Sequence, residues 1–170
     1  MVSAREISSI VRDAKCDWRR AESRDAPILL QWRNDPVSVM YSKSRAPVLP
    51  EQHASWLSAV LREESTELLI GESFGVPIAT CRFESGKLTP GAFLVSINVA
   101  PAHRGHGAGQ ELLASAISHF LARHDADLLA EIHKDNIASE RIFTKVGFRW
   151  VASDYDFNCF LLQATPKDAA

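Results

Sequence analysis

Residues 93–109 read Phe-Leu-Val-Ser-Ile-Asn-Val-Ala-Pro-Ala-His-Arg-Gly-His-Gly-Ala-Gly, and the fold turns on this stretch. Its first seven residues set Phe93, Val95, Ile97 and Val99 on one face against Leu94, Ser96 and Asn98 on the other, the period of a β-strand, and Pro101 stops the run. Its end, Gly107-Ala108-Gly109, opens a segment to His124 in which Leu112, Leu113, Ala116, Ile117, Phe120 and Leu121 recur at helical spacing. Glycines in a strand-to-helix turn let backbone amides approach a ligand closely, and the helix N-terminus adds about half a positive charge. The turn His103–Gly109 can therefore cradle a pyrophosphate, with Arg104 as a fixed cation; the same glycines would also serve a tight turn and nothing more. No Lys-Ser/Thr pair follows the last glycine, which excludes a Walker loop, and the G-x-G-x-G spacing departs from the dinucleotide fingerprint.

Downstream of this turn, Asp127 to His133 reads as a buried strand and Asn136 to Val146 as a helix with the stripe Ala138, Ile142, Phe143 and Val146, ended by Gly147 at a left-handed C′ position. Phe148 to Ala152 and Asp156 to Gln163 read as two final strands. Upstream, Glu67 to Ser73 and Pro77 to Glu84 flank the short turn Phe74-Gly75-Val76 and predict an antiparallel hairpin. Trp56, Leu57, Val60 and Leu61 predict a helix from Glu51, with His53 on the Trp56 face. Cys16 to Arg20 reads as a short strand, and Asp25 as the N-cap of a helix carrying Ile28, Leu29 and Trp32, which Asp35-Pro36 terminates. Asp35 to Pro50 holds three prolines and no period, and reads as a long loop. The order is β-α-α-β-β-β-α-β-α-β-β without repeats, a single domain over residues 1–170 with residues 1–12 as an N-terminal extension.

Lys plus Arg number 19 against 21 Asp plus Glu, a net charge of −2 with a pI near 6.3, and the two signs are interspersed. Without a basic face the chain does not read as a nucleic-acid binder. The longest uncharged stretch, Leu88 to His103, is interrupted by Pro90, Gly91 and Pro101 and falls short of the roughly 18–20 apolar residues of a membrane span. Arg5 and Glu6 stand where an export signal would carry its apolar core, so the expected location is the cytoplasm, where Cys16, Cys81 and Cys159 would be free thiols. The pairs His103/His106 and His119/His124 lack the spacing and neighbouring ligands of a metal site, and none is expected.

Arg104-x-x-Gly107-x-Gly109, after a strand ending Asn98-Val99-Ala100-Pro101, resembles the acetyl-CoA pyrophosphate motif of the GNAT superfamily of N-acetyltransferases. Glu131-Ile132-His133-Lys134-Asp135-Asn136-Ile137-Ala138-Ser139, continuing through Phe143-Thr144-Lys145-Val146-Gly147-Phe148, resembles that superfamily's fifth strand and fourth helix. The resemblance implies the GNAT fold: an α/β (α+β) domain with a mixed, mostly antiparallel sheet of about seven strands, four helices, and a fourth and fifth strand splayed to admit pantetheine. Trp32-Arg33-Asn34-Asp35-Pro36, with Met40, Glu51-Gln52-His53 and Trp56, resembles a narrower branch containing the sugar-nucleotide N-acetyltransferases of pseudaminic-acid and related nonulosonic-acid pathways, bordering the ribosomal-protein N-terminal acetyltransferases.

By this resemblance acetyl-CoA is the co-substrate, with its thioester carbonyl on the backbone around Ile97 and Val99 and its pyrophosphate on Arg104, Gly105, Gly107, Ala108 and Gly109. Asn136, Ser139, Phe143 and Lys145 would flank the cofactor from the following helix. Glu131 is the expected general base, on a strand face shared with Leu129 and His133; an ion-paired structural carboxylate is its alternative role. His133 could hold a relaying water, and Glu84 is a third candidate. Where many relatives carry a tyrosine that protonates the thiolate this chain has Phe143, and Tyr41 and Tyr155 are its only tyrosines. Arg33, Asn34 and His53 are expected at the acceptor cleft; their plainer roles are a surface ion pair, a helix end and a core histidine. The implied partner is a small amine, an amino-sugar nucleotide first, a protein N-terminus second, or an acyl-CoA bound without turnover. A homodimer is compatible with the reading.

Overall fold

The computed structural model describes residues 16–86, 88–105 and 107–164, and the proposed extension at residues 1–12 lies outside them, as does His106. Within these residues seven strands form one sheet: β1 (Asp17–Arg20), β2 (Thr66–Ser73), β3 (Val76–Ser85), β4 (Phe93–Val99), β5 (Leu128–His133), β6 (Arg149–Ser153) and β7 (Phe157–Leu162). Their order is β1-β2-β3-β4-β5-β7-β6, antiparallel throughout except for β4 and β5. That pair is parallel because the chain returns from β4 to β5 through a crossover helix. The mixed sheet of the expected GNAT fold is thus present, with both predicted splayed strands in place.

Among the described residues five α-helices accompany the sheet, where four were expected: α1 (Ala26–Arg33), α2 (Pro36–Met40), α3 (Pro50–Arg62), α4 (Ala108–Leu121) and α5 (Ile137–Val146). The extra one, α2, lies in the stretch read as loop. Asp35-Pro36 does end α1, but the same dipeptide starts α2: the Asp35 carboxylate accepts from the amides of Val37 and Ser38, and Pro36 occupies the first turn. With only five residues α2 has no room for a hydrophobic period, which is why its sequence shows none. Asp25 is the N-cap residue of α1, as expected, with Pro27 in the first turn, but its side chain works elsewhere. Its carboxylate does not cap α1; it accepts the Glu22 amide and both terminal nitrogens of Arg19 at 2.8 Å, joining β1 to the start of α1.

The sheet carries a helical layer on each face. On one face α4 and α5 cover Leu69, Cys81, Phe83, Val95, Leu128, Ile132 and Phe160, with Phe83 and Phe120 stacked at 4.0 Å. On the other, α1 and α3 cover Leu68 and Ile70 with Leu29, Trp32, Leu57 and Val60. Burying side chains of this size contributes about 1.5–3 kcal/mol each. The second layer stops short of β5: Leu129, Glu131 and His133 point to the face that α4 and α5 leave free, and there a groove runs beside β7 and β6.

Candidate functional site

Strands β4 and β5 touch at two residue pairs, Phe93 with Leu128 and Leu94 with Leu129, and then diverge. The Phe93 amide donates across this join to the Asp127 carbonyl at 2.9 Å. Strand alternation turns the amides of Val95, Ile97 and Val99 to the same side; the Leu94–Leu129 pair engages Val95, and those of Ile97 and Val99 lie past the join, where no strand meets them. The fork thus opens a slot edged by the two residues expected to receive the thioester.

The mouth of the fork leads to the glycine turn. Gly105 and Gly107 hold φ of +81° and +79°, and a side chain at either would meet open space, so the left-handed backbone rather than crowding demands glycine there. Gly107 is the N-cap of α4 and offers no side chain to the first-turn amides, which are left for a ligand. Gly109 sits differently: a Cβ there would lie 2.7 Å from Ile142 Cδ1, so this glycine lets α4 close on α5. Ala108 packs with Ile97, Val99 and Leu112 beneath the turn.

Arg104, expected as a fixed cation beside the phosphates, has its whole guanidinium engaged within the protein. Its Nε donates to the Val99 carbonyl at 2.8 Å, Nη1 to Asp35 Oδ2 at 2.5 Å, and Nη2 to Ser38 Oγ and Asn98 Oδ1 at 3.1 Å each. Asn98 also donates to the Trp32 carbonyl. One side chain thereby takes the place of a neighbouring strand for Val99 and ties the turn to α1 and α2. The hydrogen bond from Arg104 holds the Asp35 carboxyl below the ordinary carboxylate range.

Beyond the fork Glu131, on β5, accepts from Lys43 Nζ at 2.6 Å. Lys43 belongs to the loop after α2, and the same loop brings Arg45 to His133 Nε2 at 2.8 Å and to Asp156 at 3.3 Å. His133 Nδ1 faces the Asp135 amide at 3.1 Å, so both ring nitrogens meet donors although a neutral imidazole accepts at only one. Tyr41 lies with its ring 5.7 Å from that of His133, whereas Tyr155 is fully exposed. The loop is fixed by Asn34, whose side chain donates to the Val48 carbonyl and accepts the Val48 amide, both at 2.8 Å, and by Arg45 in a left-handed conformation. A cavity of ≈ 360 Å³ opens beside Glu131 between Leu129, Val151, Phe157 and Cys159.

The remaining expected residues scatter. Glu84 pairs with Arg82 at 2.9 Å, and Arg82 lies over the Trp56 ring. His53 is on the buried face of α3, its ring 5.3 Å from that of Trp56, and burial followed by the charge of Arg33 pushes it below the ordinary histidine value. Arg33, at the end of α1, donates to Ser44 Oγ at 3.1 Å. Asn136 caps α5 by accepting the Ser139 amide at 3.1 Å. Phe143 is buried in the core edge-on to Phe148, and Lys145 is exposed on the last turn of α5. Lys43, Arg45, Asp35, Ser38 and Asn98 were not among the expected site residues. Two of them left a signal, Asn98 as a polar residue in mid-strand and Asp35 in the Asp-Pro pair after α1, but neither pointed to Arg104. Among the described residues no three His, Cys, Asp or Glu side chains gather as a metal would require.

A parallel fork opening onto a glycine turn at a helix N-terminus, with a carboxylate beyond the slot, is the framework of an acyl-CoA-dependent transferase. The acetyltransferase (GNAT) domain family matches residues 18–149, and the chain belongs to this family of acetyl-CoA-dependent N-acetyltransferases. N-alpha-acetyltransferase 40 of Saccharomyces cerevisiae is 33% identical over an alignment of 66 residues, a match that covers 35% of this chain and 23% of that protein's length. A crystal structure classed as a phosphinothricin N-acetyltransferase is 27% identical, covering 88% of this chain and 99% of the other with a TM-score of 0.72. YncA from Salmonella typhimurium, classed as an acetyltransferase and solved with its cofactor acetyl-CoA, shares the fold at 22% identity, 92% and 98% coverage and a TM-score of 0.69.

Proposed function

We propose that the chain transfers acetyl from acetyl-CoA directly to the primary amine of a small molecule, an amino-sugar nucleotide, in the cytoplasm. The observation that carries the reading is the row of outward amides on β4 at a slot whose far side presents Glu131. The diphosphate rests on the amides of Gly105, Gly107 and Ala108, Arg104 keeps that turn in place, and Asn136 and Ser139 border the cofactor from α5. The amine nitrogen attacks the thioester carbon, and the developing oxyanion accepts from the amides of Ile97 and Val99; one such donor contributes about 3–4 kcal/mol to a transition state of this kind. The amine proton passes to Glu131 directly or through water at His133, the C–S bond breaks, and the thiolate takes a proton from solvent. A thiol pKa of about 8.5 makes that leaving group adequate without a dedicated acid, consistent with Phe143 at the tyrosine position.

Lys43 must leave Glu131 for the base to work, and at 66% exposure it can swing into solvent. A covalent acetyl-cysteine route is disfavoured, because burial and then the Glu131 charge push the Cys159 thiol upward, away from the thiolate such a step needs. Thiol release on mixing the protein, acetyl-CoA and a panel of amines tests the reading: turnover with a UDP-linked amino sugar supports it, and acetyl-CoA binding with no turnover on any amine overturns it. The segment shared with yeast N-alpha-acetyltransferase 40 favours one second reading, a peptide N-terminus as acceptor, which a peptide hit in the same panel would establish.

A further inference from the structure

The side chains between the glycine turn, the loop after α2 and the free face of β5 include several cations, and nearly all of them are neutralised within the protein. Lys43 has Glu131, Arg45 has Asp156, Arg82 has Glu84 and Arg104 has Asp35. Arg33 is different. Among the described residues no carboxylate lies within ion-pair distance of it; Nη2 reaches the Ser44 hydroxyl and, at 3.5 Å, the Ala46 carbonyl. Its Nη1 is shielded from solvent with no acceptor at all. A guanidinium serving only the C-terminal dipole of α1 would turn to the last carbonyls or to water. Here it is turned inward toward the loop, and burial lowers its affinity for its proton. Shielding a cation and a donor without partners is costly in a folded protein, and such costs persist where a ligand supplies the missing partner.

The position tells what that ligand is attached to. Ser44, which receives Nη2, follows Lys43, which reaches Glu131, so one short loop connects the Arg33 fork to the proposed base. His53 stands on the other side of Arg33 as a buried ring whose proton Arg33 helps to repel, so it does not compete as a cation.

We propose that Arg33 is the receptor for an anionic group, a carboxylate or a phosphoryl, carried by the acceptor at a distance from the amine that Glu131 deprotonates. This rests on the acetyltransferase reading above and narrows its substrate class to amines bearing an anion. The planar fork suits either group: Nη1 has no partner to give up, and Nη2 would exchange Ser44 and the long contact to Ala46 for a second oxygen of the same anion.

Matched amines separate the sources: glucosamine 6-phosphate against glucosamine, and phenylalanine against phenylalaninamide. The expected result is that the wild type favours the anionic member of at least one pair by roughly 10- to 100-fold in kcat/KM, the worth of a charged hydrogen bond. The pair that shows the preference identifies phosphoryl or carboxylate. In Arg33→Met the preference collapses, chiefly through KM for the anionic member, and in Arg33→Lys part of it returns. Equal turnover of both members by the wild type overturns the subsite while leaving the transferase reading intact. A loss in Arg33→Met that is the same for both members assigns Arg33 to the framework and also overturns it. If no amine is acetylated, calorimetry of the same four compounds on protein saturated with coenzyme A decides the subsite alone. Binding of an anionic member that Arg33→Met abolishes supports it, and binding insensitive to Arg33→Met, or none, overturns it.

Discussion

Glu131 does not stand alone beyond the fork; its carboxylate is shared with Lys43, and that pairing shapes what substitutions should do. Glu131→Gln keeps the shape of the side chain and removes the proton acceptor, so kcat/KM should fall by roughly 100-fold or more near neutral pH while acetyl-CoA affinity, measured by calorimetry, stays nearly constant. The deficit should narrow as pH rises above the pKa of the acceptor amine, since less of its proton then remains to be removed. A loss independent of pH would make the carboxylate structural. Lys43→Met should act in the opposite direction, lowering acceptor KM by up to roughly 5-fold because an exposed ion pair worth at most about 1 kcal/mol no longer competes with the incoming ammonium. Glu131 and His133 could be found in the sequence because they lie on a strand with period two beside a recognisable block. Lys43 and Arg45 could not: their loop has no period, and its path is set by a two-way bond between Asn34 and Val48 that no local pattern announces. Arg104 was found without its protein partners, since a cation next to a glycine turn looks the same in sequence whether or not Asp35 holds it.

At the level of elements, the strand β4, the turn and α4 were legible almost to the residue, because alternation, glycines and a 3.6-residue stripe follow each other without a gap. The short helix α2 was not, and its only trace was an Asp-Pro pair that marks an end and a beginning alike. The turn invites a controlled substitution. Gly107→Val forces a branched side chain into a left-handed conformation at a cost of about 1–2 kcal/mol, and Gly75→Val, at φ +76° in the β2–β3 hairpin and equally open, carries the same strain far from the fork. Both should lose similar stability in denaturant titrations, but only Gly107→Val should weaken acetyl-CoA binding; equal affinities would refute a phosphate role for the turn. Phe143→Tyr separates helix packing from chemistry in α5. The residue is 2% exposed in the core, edge-on to Phe148, so an added hydroxyl enters apolar surroundings and should cost about 1–3 kcal/mol, with little gain in kcat.

Across the whole molecule, the β1 to α1 junction sets an acid limit. Hydrogen bonds from Arg19 hold the Asp25 carboxyl below its ordinary value, so the pair contributes its full stability above the unfolded carboxylate pKa of about 3.9 and loses it as pH falls through the depressed folded value. The thermal midpoint should therefore drop on acidification below about pH 4. In Asp25→Asn, already weaker at neutral pH, that limb should be shallower; an unchanged acid limb would show that other groups govern it. Acetyl-CoA at about 100 times its Kd should add about 2.7 kcal/mol to the folded state, read as a rise in thermal midpoint.

The two-pair join between β4 and β5 has a mechanical meaning as well. Strands β1 to β4 form one continuous plate and β5, β7 and β6 another, each laced by long antiparallel ladders, while the seam between them holds at Phe93–Leu128 and Leu94–Leu129 alone. Stiffness is thus high within each plate and low along the seam, where the packed helices on one face act as the backing. Pulled between β1 and β6, the molecule should part first along this line, and a pantetheine arm lying in the slot would act as a stitch, raising the force at which the plates separate.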